Sequence, residues 1–172
     1  MQECDNVSQS GALAESERLS GMVDITSKPP VFRMATASGC IRLKSTTIEA
    51  IRCGQVKKGD VLATARIAAI LAAKETPRSI PMCHSIPITG LEVDFRIESI
   101  ESGLGRIWAE VTVTSVGKTG VEMEALAGVS AALLNIWDMV KYLEKDGTGN
   151  YPVTEMGNIR VLEKRKEEKD ES

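Results

Sequence analysis

Leu91-Glu92-Val93-Asp94-Phe95-Arg96-Ile97-Glu98 alternates without a break. Leu91, Val93, Phe95 and Ile97 point to one side, and Glu92, Asp94, Arg96 and Glu98 to the other, which is the period of a half-buried strand. A turn over residues 101–105 follows, and Ile107, Ala109, Val111 and Val113 repeat the period within 107–116. The two runs read as an antiparallel hairpin. Its polar face is incompatible with helices on both sides of the sheet, as a doubly wound parallel sheet would require. The hairpin therefore sets the class: an α+β domain, an antiparallel sheet with helices packed on one face.

Outward from the hairpin, residues 31–43 read as a strand with a bulge near Ser38–Gly39. A short helix over 45–52 has Ser45 as its expected cap, Glu49 close to the capping-box position and Gly54 as its stop. Asp60 is the expected cap of a second helix, from 61 to about 74. Pro77, Pro81 and Pro87 bracket a segment expected to be non-helical. A long helix spans about 120–145, Gly147 and Gly149 end it, and a last strand covers 158–163. Residues 1–20 are polar and aperiodic and read as a disordered leader. Residues 21–164 form one domain, and the charge run 165–172 reads as a disordered tail.

Composition narrows the function. A net charge of −3 argues against a nucleic-acid surface, and 3% aromatic residues against a base-stacking platform. One histidine excludes a multi-histidine metal site within a single chain. Cys4, Cys40, Cys53 and Cys83 show neither metal-ligand spacing nor a C-x-x-C pair. There is no signal-peptide pattern and no uninterrupted apolar run of about 18 residues. The expectation is a cytoplasmic protein with reduced thiols and no membrane span.

The long helix carries the main anomaly. Residues 125–137 contain no charge, so the helix should be buried on most faces, and one sheet can cover only one of them. A second copy of the chain is the expected cover. Asp138 and Lys141 follow at i and i+3 on a shared face. Two readings stand open: a surface ion pair worth little, or a carboxylate and an amine set in an apolar wall for acid/base work. Glu122 and Glu124 suit the positive end of the helix dipole. Glu124 and Asp138 fall nearly on one face but about 21 Å apart along the axis. A site using both needs a long ligand or two subunits.

Three further segments hold candidate site residues. Gly117-Lys118-Thr119 ends like a P-loop, but Thr112 stands where that pattern needs glycine. Lys118 can still hold an anion at a helix start, or be simply solvated. Lys58 precedes the second helix and has the same two readings. His84 lies in the proline-stiffened Pro81-Met82-Cys83-His84-Ser85-Ile86-Pro87, as a pocket residue or a structural one. Cys83 has only His84 as a basic neighbour and is a weak nucleophile candidate.

Several stretches together resemble the cyclic pyranopterin monophosphate synthase (MoaC) family of molybdenum-cofactor biosynthesis. They are Met22-Val23-Asp24-Ile25, Lys58-Gly59-Asp60 through Ala65-Arg66-Ile67-Ala68, Ile80-Pro81-Met82-Cys83-His84, Gly117-Lys118-Thr119-Gly120-Val121-Glu122-Met123-Glu124-Ala125-Leu126 and Asp138-Met139-Val140-Lys141. The resemblance implies a ferredoxin-like fold and a homohexamer, a trimer of dimers with sites at subunit interfaces. It implies conversion of 3′,8-cyclo-7,8-dihydroguanosine triphosphate, made upstream by a radical S-adenosylmethionine enzyme, to cyclic pyranopterin monophosphate and pyrophosphate. No redox cofactor is implied, and Mg²⁺ can accompany the triphosphate. Carried onto this chain, Asp138, Lys141 and Lys58 are the implied catalytic residues. Met82, Cys83, His84, Met123 and Glu124 are implied to contact substrate, with Glu122, Arg33 and Lys118 as further pocket contacts. Many relatives end in a glycine-rich, lysine-containing tail; here the end is Lys164-Arg165-Lys166-Glu167-Glu168-Lys169, and Lys164 is the first candidate for the tail lysine. Two other functions remain: a nucleotide-binding module without turnover, and a purely structural oligomer subunit.

Overall fold

The structure, a computed structural model, describes residues 21–100 and 102–167. Strands β2 (Ile88–Ile100) and β3 (Leu104–Gly117) form the expected hairpin. Their register sets Leu91 against Val113, Val93 against Val111, Phe95 against Ala109 and Ile97 against Ile107. Four apolar cross-strand pairs thus share the core face. Strand β1 (Val31–Lys44) pairs with β3 without interruption, and β4 (Glu155–Glu167) pairs with β1. The sheet is antiparallel throughout, in the order β2-β3-β1-β4.

Helices α1 (Ser45–Arg52), α2 (Val61–Lys74), α3 (Thr76–Ser79) and α4 (Glu122–Glu144) complete the chain. The expected α+β architecture is present: α4 lies on β1, β3 and β4, and α2 packs beside it and against β2. Ala65, Ala69 and Ala73 are buried along α2 and let the two helices approach closely. Gly39 does the same between α4 and the sheet, since a Cβ there would come within 2.9 Å of Val129 and 3.1 Å of Leu133.

Several boundaries differ from expectation for identifiable reasons. Helix α1 is preceded by Lys44 in the cap position, and Ser45 is already helical. Lys44 is held by tertiary bonds instead: its N–H meets the Glu144 carboxylate, and its Nζ donates to Leu143 O at 2.9 Å. Glu49 accepts from Cys53 Sγ rather than closing a capping box. Asp60 does cap α2, its Oδ1 accepting from Ala63 N at 2.9 Å. The proline-bracketed stretch contains the single turn α3, with Pro77 in the first turn, where its missing N–H costs nothing. The bulge expected near Ser38–Gly39 is a feature of the β1–β4 pairing. The extra residues lie on β4, where Asn158 has φ 56.

Strand β4 is longer than the expected 158–163. It runs on until Glu167 pairs with Phe32, so Arg165, Lys166 and Glu167 belong to the sheet and not to a tail. Backbone pairing needs no apolar side chain, and charges suit an edge strand. The expected leader, 1–20, and residues 168–172 lie outside the described residues.

Helix α4 buries only one stripe in the lone chain. Ala125, Val129, Ala132, Leu133 and Ile136 are fully buried, whereas Leu134 is 63% exposed. By length and composition alone α4 could cross a membrane, but half of that stretch is buried inside the domain. It serves as the core helix.

Two half-sites at the ends of helix α4

Near its C-terminal end α4 presents Asp138. Lys58, from the turn before α2, donates Nζ to Asp138 Oδ2 at 2.6 Å and to Asp138 O at 2.9 Å. Lys141, one turn on, meets Oδ1 at 2.8 Å. All three residues singled out as catalytic therefore converge. The expected apolar wall is absent in the lone chain: the side chains of Lys58, Asp138 and Lys141 are 43%, 52% and 47% exposed. The length of the uncharged run predicted burial, but Asp138 sits just beyond it, on the side facing solvent.

The charge states follow from the contacts. Hydrogen bonds from Lys141 and Lys58 lower the Asp138 carboxyl to about 2. The bond to Asp138 in turn raises Lys141. At neutral pH the cluster is one carboxylate between two ammonium groups, a net positive surface that suits an anion.

The N-terminal end of α4 is different. A cavity of about 330 Å³ opens there, lined by Met82, Cys83 and His84 on one side and by Glu122, Met123 and Glu124 on the other. The segment carrying Val23, Ile25 and Lys28 forms its third wall. Glu124 is 2% exposed, and neither carboxylate oxygen has a hydrogen-bond partner among the described residues. Burial pushes its carboxyl above the ordinary glutamate range. For Glu122 burial acts the same way, but the bond from Lys164 Nζ (2.7 Å) and the charges of Lys164 and Arg33 outweigh it and hold the carboxyl low. Lys164 thus reaches Glu122, in the wall of this cavity, from β4.

The remaining pocket candidates are held by main-chain carbonyls. His84 Nε2 lies 2.7 Å from Val23 O and so carries the proton. Lys118 Nζ donates to Thr26 O at 2.6 Å. Arg33 reaches Gly117 O and Lys118 O at 3.4 and 3.5 Å and steadies the turn into α4. The Cys83 thiol is pushed up by burial and by the Glu124 and Glu122 charges, which disfavours the thiolate needed of a nucleophile. Among the described residues no group of three or more His, Cys, Asp or Glu could hold a metal ion.

Three contributors were not among the candidate site residues. Ile25 and Lys28 reach the cavity from a stretch with no periodicity to place it. Tyr142 accepts the Lys57 N–H at 2.9 Å, and its only signal was its position one turn after Asp138.

Fold and geometry define an α+β protein with two contrasting clusters at the ends of one helix: an open cavity with Glu122 and Glu124 in its wall, and an exposed Lys58–Asp138–Lys141 cluster. The MoaC family model matches residues 22–167, and the chain belongs to that family. It is 62% identical over 146 residues to a probable cyclic pyranopterin monophosphate synthase of Methanococcoides burtonii, covering 85% of this chain and 89% of the relative. The proteins of the same name from Archaeoglobus fulgidus and Aeropyrum pernix are 59% identical over 145 residues and 57% over 146. They cover 84% and 85% of this chain, and 90% and 97% of the relatives.

Proposed function

We propose that this chain is a lyase of molybdenum-cofactor biosynthesis. It converts 3′,8-cyclo-7,8-dihydroguanosine triphosphate to cyclic pyranopterin monophosphate and pyrophosphate. Family membership and the relatives' names support the reaction. The observation that carries the site is the convergence of Lys58 and Lys141 on Asp138 from two separate elements.

Opening and reclosing the purine rings requires several proton transfers. Asp138, ionised down to a pH of about 2, does not donate a proton near neutrality. Its role is to hold the two ammonium groups, and the lysines exchange protons with substrate. Closure of the cyclic phosphate expels pyrophosphate, and the same ammonium groups meet the charge developing on the phosphate oxygens. Met82, Cys83, His84, Met123 and Glu124 contact the base, with Glu122, Arg33 and Lys118 at the cavity's edge. Glu124, buried and unpartnered, suits the amide and amine donors of a guanine-derived ring. Redistributing these bonds needs no redox cofactor; Mg²⁺ would enter on the triphosphate.

The two half-sites lie about 21 Å apart along one helix. We infer that each active site joins the cavity of one subunit to the lysine cluster of another, within a cytoplasmic homohexamer built as a trimer of dimers. The uncovered face of α4, with Leu134 outward, supports association. The strand order β2-β3-β1-β4 supports a ferredoxin-like assignment.

A binding module without turnover has one observation in its favour: the ionisation of Asp138 and Lys141 in the lone chain holds anions better than it moves protons. Supplying the cyclised triphosphate decides between the two. The lyase releases pyrophosphate together with a pterin, whereas a folded protein that binds the triphosphate and releases neither is the module.

A further inference from the structure

Lys58 reaches Asp138 from the turn over residues 55–60. A lysine side chain is long and flexible, so its placement depends on where the backbone beneath it lies. That turn is fixed from within by Val56, 5% exposed in the core, and by Gly59 (φ 99), whose N–H donates to Val56 O at 3.0 Å. It is fixed from outside by α4. Tyr142 Oη accepts the Lys57 N–H at 2.9 Å, and the Lys57 ammonium lies 5.6 Å from the Tyr142 ring centroid. Tyr142 stands one turn after Asp138 and beside Lys141. The helix that supplies the carboxylate therefore grips the lysine's loop twice, at the Lys57 main chain and at the Lys58 ammonium.

We propose that Tyr142 is a positioning residue for the reaction, pinning the Lys57 backbone to α4 so that Lys58 is delivered to Asp138. The inference rests on the reading of Lys58, Asp138 and Lys141 as the catalytic cluster. The phenol itself performs no chemistry on substrate; it acts one residue away, through the loop. Its oxygen takes the N–H, and its ring face takes the neighbouring cation, so the two halves of the side chain can be separated by substitution.

The test is made on the full-length chain with ¹³C-labelled aspartate, the Asp138 signal being assigned by its loss in Asp138→Asn. In Tyr142→Ala the loop is freed and Lys58 leaves the carboxylate. The Asp138 carboxyl should then rise from about 2 toward its ordinary 3.8. With the cyclised triphosphate as substrate, kcat should fall about tenfold or more while KM changes less. Tyr142→Phe, which keeps the ring under Lys57 and removes only the acceptor, should fall between, and it serves if the alanine variant does not fold. Wild-type Asp138 titration together with wild-type kcat in both variants overturns the proposal. So does a shifted titration with unchanged kcat, because the placement of Lys58 would then not govern turnover. A wild-type chain that yields no pterin product defeats the functional reading alone, since the titration still reports whether Tyr142 holds Lys58 on Asp138.

Discussion

The two ends of helix α4 solve opposite problems. At the N-terminal end the carboxylate of Glu124 is buried with nothing to bind, and Glu122 is held ionised by a lysine from an edge strand. At the C-terminal end a carboxylate of ordinary exposure is doubly paired and leaves a net positive cluster open to solvent. One end carries a carboxylate without a donor; the other carries two ammonium groups on one carboxylate. A desolvated, unpartnered carboxylate is costly in a lone chain, as is the uncovered apolar face between the ends. In the proposed assembly both costs would be relieved, because a ligand with base and phosphate parts and a second copy of the chain would bring unlike ends together.

The largest effect is expected at the open end. Asp138→Asn and Lys58→Ala should each lower pterin formation by about a thousandfold or more, with circular dichroism and assembly mass unchanged. Full turnover by either variant removes that residue from the cluster. At the cavity end Glu124→Gln should cost about a hundredfold in turnover. It should also raise the thermal midpoint at pH 7 by about 3 °C, as expected for relieving about 1 kcal/mol in a domain of this size. The sign follows from the raised carboxyl: the folded state binds the Glu124 proton more tightly than the unfolded chain does. Ionisation therefore erodes stability as pH rises through the unfolded and then the folded value. The gap between variant and wild type should close in acid, where Glu124 is protonated. An Asp138→Asn chain has no such advantage, because its carboxylate is paired and exposed. A smaller change, about tenfold in turnover, is expected from Lys164→Ala. Without the Lys164 bond and charge the Glu122 carboxyl should move upward in a ¹³C titration; an unmoved carboxyl would detach β4 from the cavity.

These ends also differ in how far they could be read in advance. The hairpin was legible because period-2 alternation over residues 91–98 and 107–113 has one structural solution. The Asp138–Lys141 pair was legible because i and i+3 share a helix face. The exposure of that pair was not, because an uncharged run says how apolar a helix is and not which side its neighbours occupy. Ser45 was displaced as a cap by bonds from Lys44 to the far end of α4, a contact of residues about a hundred apart. The charged run over 165–167 reads as a tail in the sequence because side-chain polarity carries no information about backbone pairing at an edge. The cavity wall around Ile25 depends on two side chains, His84 and Lys118, reaching distant carbonyls, and no local pattern encodes that.

The most direct test of a site shared between chains is complementation. Asp138→Asn and Glu124→Gln, each with about a hundredth of wild-type turnover or less when alone, are dissociated, mixed in equal amounts and reassembled. If the cavity end of one subunit serves the lysine-cluster end of another, about a quarter of the sites will be intact by random pairing, and pterin formation should recover to that fraction of wild type. A reassembled mixture no more active than the two variants measured separately would place both ends in one chain's site and contradict the account.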